Sequence, residues 1–253
     1  MSVYEFIQVT SENVSEVGLF CIRNPKYPGF KLKANWLAKE KADGLKLMLL
    51  QVDDETVGFI EYVPGEFAWR PVSAKNFMFI HCLWVYPKKN LNKGYASLLI
   101  DHCMEESKKA GFDGVSVMTS EGSWITGRDL FLKYGFKISA SKGRFDLLTL
   151  KFKGKKEPEF IDWEAKAKNF QGLNLIYGNQ CPLFIKSIDE MTATAKEFGL
   201  ELKVSELKTA KDAQNAPSGF GVYSMVYNGK LVVDHYISNT RFRNILNKEV
   251  KKA

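Results

Sequence analysis

At 253 residues, with 45% hydrophobic and 26% charged side chains, the chain has the make-up of an ordinary globular protein of one large or two modest domains. No apolar run approaches the ~20 residues of a membrane-spanning helix, and the N-terminus has neither the basic nor the apolar segment of a signal peptide, so no membrane partner is expected. The net charge of +7, from 36 basic and 29 acidic residues, admits nucleic acid, an acidic substrate or a phosphorylated cosubstrate. With no homeodomain, zinc-finger or RRM pattern in view, no nucleic-acid partner is expected.

In chain order, the alternation from Val3 to Val9 predicts a strand. Asn35 to Ala42 reads as a helix with Trp36 and Leu37 turned inward. Leu45 to Val52 and Thr56 to Val63 read as two strands, and Asp53-Asp54-Glu55 between them has turn chemistry, so a hairpin is expected. Residues 64–76 read as a loop. Phe67 and Trp69 are large apolar residues for such a segment; with Glu66 and Arg70 they wall a pocket or tuck onto the core.

Phe77 to Val85 is a run of β-branched and aromatic residues ending at Pro87. By strand alternation His81 shares a face with Phe79, Leu83 and Val85. Its intrinsic pKa suits acid–base work, although a packed core histidine fits the same pattern. Glu61, on the neighbouring strand, and Glu66 are the other candidates, each also readable as a structural carboxylate. A short basic loop follows, and then Ala96, Leu99, Ile100, Cys103 and Met104 recur at helical spacing. Backbone N–H groups at such a helix start lack intrahelical partners, and the helix dipole adds positive charge there. Gly94 admits close approach, and Lys88, Lys89 and Lys93 add full charges, so the unit suits a phosphate group. The spacings G-x-G-x-x-G and G-x-x-x-x-G-K-[ST] are absent, and an ordinary strand-to-helix turn with solvated lysines stays open on the local pattern alone. His102 falls on this helix and reads as a surface residue. Gly114 to Thr119 is a further strand, and residues 136–152 form a hairpin turned near Ser141-Lys142-Gly143.

A boundary is expected in the charged stretch Lys151 to Lys168. Beyond it come a strand at Leu173–Tyr177, a helix opened by Cys181-Pro182 and running to about Phe198, and a strand at Leu200–Leu207. Val222–Tyr227 and Lys230–His235 form a hairpin through Asn228-Gly229, which suits a type I′ turn. A last helix covers Thr240–Lys248, and His235 has no visible partner. Cys181 at a helix start has a dipole-favoured thiolate, but Phe184 stands where a C-x-x-C motif puts its second cysteine, which excludes dithiol exchange within this domain. Cys21, Cys82, Cys103 and Cys181 show neither metal spacing nor a disulfide framework, so no metal is expected and a reducing cytoplasm is the simplest home.

The segment Leu91-Asn92-Lys93-Gly94-Tyr95-Ala96 resembles motif A of the GNAT N-acetyltransferases, with Leu91 where that family has Arg or Gln. WITGRDLFLKYGF, residues 124–136, resembles the family's later helix and strand through Leu130, Lys133, Gly135 and Phe136. Trp124, Gly127 and Phe131 depart from it, and Phe131 replaces the tyrosine that often protonates the departing thiolate. Ile60–Arg70 and Ile80–Val85, with NQCP and Ala216-Pro217 downstream, look like the GNAT subgroup followed by a YoaP-type, thioredoxin-like domain.

The resemblance implies an α/β fold: a GNAT mixed sheet flanked by helices, followed by a smaller thioredoxin-like α/β domain. The implied division is 1–152 for the acetyltransferase domain, 153–170 for a linker and 171–253 for the second domain. It implies acetyl-CoA as cosubstrate, held by Leu83, Trp84 and Val85 of the strand and by Lys88, Asn92, Lys93, Gly94, Tyr95 and Ala96 of the loop and helix start. It implies direct transfer in a ternary complex to an amine of a small molecule or peptide. His81, Glu61 or Glu66 is then the base, and Glu66, Trp69 and Arg70 wall the acceptor. The missing tyrosine motivates the alternative, a non-catalytic acyl-CoA-binding or adaptor protein.

Overall fold

The structure, a computed structural model, describes residues 3–22, 24–122 and 124–250. These divide into two compact units. The first comprises residues 1–25, 34–68 and 72–160, and the second residues 26–33, 69–71 and 161–253. No helix among the described residues is long and apolar enough to cross a membrane.

The first unit starts with β1 (Tyr4–Gln8) and a single turn, α1 (Val14–Val17). The next helix, α2 (Pro28–Glu40), counts with the second unit to residue 33 and with the first from residue 34, and it begins seven positions earlier than expected, because Pro28 is tolerated in a first turn where no N–H is needed. It still buries Trp36 and Leu37. β2 (Lys46–Val52) and β3 (Glu55–Pro64) form the expected hairpin. Asp53 and Asp54 both take positive φ, 47° and 64°, as a tight primed turn demands. β4 (Val72–Ser73) precedes the central strand β5 (Phe77–Val85), the helix α3 (Tyr95–Lys109) and β6 (Gly114–Ser120). The short α4 (Arg128–Lys133) leads into the hairpin β7 (Lys137–Lys142) and β8 (Phe145–Lys151), and β9 (Glu159–Phe160) pairs back with β4. The expected loop at 64–76 thus holds a 3₁₀ turn and a two-residue strand.

Seven strands form one sheet in the order β1-β2-β3-β5-β6-β8-β7. Only β5 and β6 run parallel, joined through α3, and every other neighbouring pair is antiparallel. α3 lays an apolar stripe of Leu99, Ile100 and Cys103 on Ile60, Tyr62, Met78, Ile80, Leu83 and Val85 of the sheet. Burial of each such aliphatic side chain contributes about 1.5–3 kcal/mol.

The second unit includes α5 (Glu164–Ala167), β10 (Leu173–Tyr177), α6 (Phe184–Glu197), β11 (Leu202–Glu206) and α7 (Ala210–Gln214), and then the hairpin β12 (Tyr223–Tyr227) and β13 (Lys230–Val233) before α8 (Asn239–Ile245). Its sheet has the order β11-β10-β12-β13, with β10 and β11 parallel and the other pairs antiparallel. Asn228 and Gly229 take φ of 46° and 79°, the values the Asn-Gly turn predicts. α6 starts at Phe184 with Leu183 as its N-cap, so Cys181 lies before the helix and not in its first turn. Its thiol thus lies outside the terminal turn to which the helix dipole's effect is confined. His235 does have partners: its Nδ1 is 2.6 Å from Asp234 and its Nε2 is 3.3 Å from an Arg241 guanidinium nitrogen.

Candidate active site

The chemistry concentrates where β5 breaks its own regularity. Along β3, Ile60 pairs with Leu83 and Glu61 with Cys82, but Tyr62 pairs with Ile80. His81 is therefore an extra residue, so that His81 and Cys82 together oppose Glu61 in a β-bulge. A bulge reverses side-chain parity along a strand. Met78 and Ile80 face α3 before it, and Leu83 and Val85 face α3 after it. Strict alternation had put His81 with Phe79, Leu83 and Val85, and the bulge corrects this. His81 stays with Phe79, whose ring lies edge-on at 5.7 Å, while Leu83 and Val85 cross to the other face.

The same bulge brings His81 to Glu61. Nδ1 of His81 lies 3.4 Å from Oε1 of Glu61, and both side chains are shielded from solvent. The Trp36 ring of α2 stands 6.4 Å from the imidazole. At this separation the imidazole and the carboxylate lie within ion-pair reach of one another.

Next to the bulge the sheet opens. The parallel register of β5 with β6 runs from Phe77↔Gly114 to Ile80↔Val117 and stops there, although β5 continues to Val85 and β6 to Ser120. The residues after His81 thus leave the ladder on one side. The Thr126 hydroxyl, from the loop before α4, donates to the Leu83 carbonyl at 3.2 Å. Sequence reasoning gave no sign of this contact, which spans 43 positions.

At the far end of β5 a 3₁₀ turn, Lys88–Asn90, leads to α3. Asn90 is buried and its amide donates to the Tyr86 carbonyl at 3.3 Å. Asn92 has φ of 62° and Gly94 has φ of 82°, and Gly94 is the N-cap of α3 without a side-chain cap. A Cβ at Gly94 would meet no atom within 4 Å, so the space in front of this helix start is open. Lys88, Asn92 and Lys93 are exposed around it, Tyr95 and Ala96 are half-buried, and Lys89 pairs with Glu55 at 2.9 Å. Open space, uncapped backbone donors and nearby lysines suit a phosphorylated ligand.

The other expected site residues lie elsewhere. Glu66 is exposed in its 3₁₀ turn, where its carboxylate accepts from the Asn76 backbone at 3.4 Å. Trp69 and Arg70 are buried within the second unit. The Arg70 guanidinium donates to the Trp69 carbonyl at 2.7 Å and to Gln180 at 3.0 Å, and it stands over the Phe220 ring at 5.1 Å. Phe131 is fully buried in the core beneath the sheet, with its ring 5.4 Å from that of Phe136. It has no proton to give a leaving thiolate.

His102 is not the surface residue its helix position suggested. It stacks on Phe6 at 4.1 Å and lies 6.5 Å from the Tyr62 ring. Burial lowers its pKa from the ordinary 6.5. One turn along α3, burial pushes the Glu106 carboxyl up, but hydrogen bonds from Lys46 and Tyr62 outweigh it and hold the pKa below the usual range.

Residues 17–136 match the Acetyltransferase (GNAT) family, and residues 201–244 match a family described as YoaP-like. A relative in Bacillus subtilis (strain 168), described as "Uncharacterized N-acetyltransferase YoaP", is 26% identical over 249 residues, 96% of this chain and 98% of its own. Among solved structures, the PaiA N-acetyltransferase of Thermoplasma acidophilum in complex with coenzyme A is 16% identical, with a TM-score of 0.44 over 59% of this chain and 99% of that one. An N-acetyltransferase from Staphylococcus aureus Mu50 is 14% identical, with a TM-score of 0.44 over 60% and 100%. Residues 17–136 are thus similar to the GNAT acetyltransferases, and residues 201–244 to the YoaP-like family.

Proposed function

We propose that this protein is an acetyl-CoA-dependent N-acetyltransferase that transfers acetyl to the amine of a small molecule or peptide by direct attack. The observation that carries the reading is the buried Glu61–His81 pair, set at the bulge where β5 parts from β6. The backbone of Leu83, Trp84 and Val85 continues past the end of the β5–β6 ladder, and Gly94 caps α3 at a point where a Cβ would meet no atom within 4 Å. Lys88, Asn92 and Lys93 add charge and polarity around the phosphates. Acetyl-CoA supplies a thioester carbonyl that backbone donors polarise.

The residues of the chain then do two things. Strand and loop backbone orient the thioester along β5. The Glu61–His81 pair accepts the proton that the amine loses on attack, directly or through water. Phe131 takes no part, so the departing thiolate draws its proton from elsewhere. We also read the second unit as thioredoxin-like, on its strand-helix-strand-helix-hairpin-helix order from Leu173, and divide the sequence at 1–152, 153–170 and 171–253, with residues 26–33 and 69–71 grouped with the second unit. Phe184 leaves that module without a second cysteine for dithiol exchange.

The test is thiol release from acetyl-CoA with a panel of amines, with products identified by mass spectrometry. Amine-dependent release with matching acetylated products is expected. Tight binding of acetyl-CoA without turnover of any amine would favour an acyl-CoA-binding adaptor.

A further inference from the structure

The second unit holds a cavity of about 380 Å³ that has no part in the acetyl-transfer reading. One wall is the strand β13, through Lys230, Leu231 and Val232. The other is α8 and the π-helical turn Leu246–Val250 that continues it, where Arg241, Ile245 and Lys248 recur at i, i+4 and i+7. Phe242 and Leu246 of the same segment are fully buried and fix which side turns to the core.

Charge on these walls is unbalanced. Lys230, Arg241 and Lys248 share the cavity with one carboxylate, Glu249, and Lys230 pairs with it at 2.6 Å. Among the described residues, neither Arg241 nor Lys248 has a carboxylate within ion-pair distance. Arg241 is also held in place. Its guanidinium lies 3.3 Å from Nε2 of His235, whose Nδ1 lies 2.6 Å from Asp234. A guanidinium can only donate, so Nε2 accepts and the ring proton sits on Nδ1, toward Asp234. The rest of the guanidinium fork stays available to a ligand.

We propose that this cavity binds an elongated dianion, an α,ω-dicarboxylate with an apolar chain between its ends. Three cations and one carboxylate leave a net charge of +2 on the walls, which two carboxylates cancel. Two phosphate groups would bring about −3 to −4. Arg241 and Lys248 stand seven residues apart, about 10 Å along a helix at ~1.5 Å per residue. A carboxylate at each end spares the ordering cost of drawing two long side chains onto one point. Ile245 lies between them on the helix and Leu231 and Val232 line the opposite wall, so the middle of the ligand gains by being apolar. A chain of about six to eight methylenes spans that distance, because each carbon–carbon bond of ~1.5 Å advances a zigzag by about 1.25 Å. An added peptide strand fits less well, although β13 lies at the edge of its sheet. Val232 is an extra residue between the pairs Val226↔Leu231 and Met225↔Val233, and such a bulge breaks the regular row of edge groups that a strand needs.

Calorimetry on the full chain compares suberate with octanoate, which has as many carbons but one carboxylate, and with succinate, which has both carboxylates on a short chain. Saturable binding of suberate is expected, at least tenfold tighter than that of either, and weaker as salt is raised. Arg241→Gln and Lys248→Gln should each lower suberate affinity to the octanoate level. Both positions are exposed, circular dichroism confirms folding, and the wild-type comparison stands without the variants. Suberate that binds no tighter than succinate overturns the apolar chain, and no tighter than octanoate overturns the second carboxylate. Absence of saturable suberate binding overturns the site itself. So does unchanged suberate affinity in both folded variants, which would put the ligand elsewhere.

Discussion

Replacing Glu61 by Gln, His81 by Gln, and both together tests whether the bulge builds one catalytic unit. With Nδ1 and Oε1 3.4 Å apart and both side chains shielded, neither group can exchange its partner for water. Loss of a positioned acid–base group costs about 10²-fold or more in turnover. Groups that act as a unit are not additive, so the double variant should fall no further than the poorer single one. Stability reads the charge state of the pair. If it is an ion pair, removing one member strands a buried charge and costs about 3–5 kcal/mol. If it is neutral, the loss is that of an unsatisfied polar group, about 1–3 kcal/mol. Initial rates of thiol release across pH, with urea unfolding of each variant, give both quantities. Near-normal turnover in both single variants would move proton removal to bulk water. Losses that multiply in the double variant would show two independent groups and refute the unit.

Three further perturbations follow from named geometry. Gly94→Pro forces φ near −65° onto a residue at 82° and removes a backbone donor; calorimetry should show acetyl-CoA affinity falling at least tenfold, and unchanged affinity in a folded variant would remove this loop from the site. His102, its pKa lowered by burial, binds a proton less readily folded than unfolded, so stability should fall as pH drops below about 6.5. Urea midpoints between pH 7 and 5 should fall less steeply in His102→Phe, which keeps the stack on Phe6; parallel slopes would clear His102. Gly221→Ala puts a Cβ 2.9 Å from the Trp69 carbonyl oxygen at φ of 77°, and thermal unfolding should show a loss of about 2 kcal/mol or more, whereas a neutral result would mean that this backbone yields freely.

Local chemistry made much of this fold readable. The Asp53-Asp54 and Asn228-Gly229 turns announce their hairpins because few residues accept positive φ. α3 is legible because its stripe repeats at helical spacing beneath a strand rich in aromatic and β-branched residues. α7 also left a signature that went unread: Thr209 and Asp212 form a reciprocal capping box. The bulge left none. Whether residue 81 or 82 opposes Glu61 depends on the register of a partner strand twenty positions away, and a one-residue slip reverses every face beyond it. The pairing of Glu61 with His81 was beyond reach for the same reason, although each residue was a candidate alone. Arg70 shows the limit most clearly. Its neighbours suggested a pocket wall, and its hydrogen-bond partner Gln180 is 110 positions away.

The second unit gathers residues 26–33 and 69–71 with the long stretch 161–253, and this has a consequence during synthesis. At 5–20 residues per second, residue 69 precedes residue 253 by about 9–37 s. Through that interval Trp69, 1% exposed in the finished protein, has no completed unit to enter. The nascent chain thus presents an apolar aromatic to the cell while the ribosome is still at work, the kind of surface that chaperones hold and that aggregates recruit. The C-terminal sequence is therefore no detachable cassette. A gene shortened at its 3′ end, or spliced so that residues 161–253 pass to another host, would leave behind a partial chain with an unburied tryptophan.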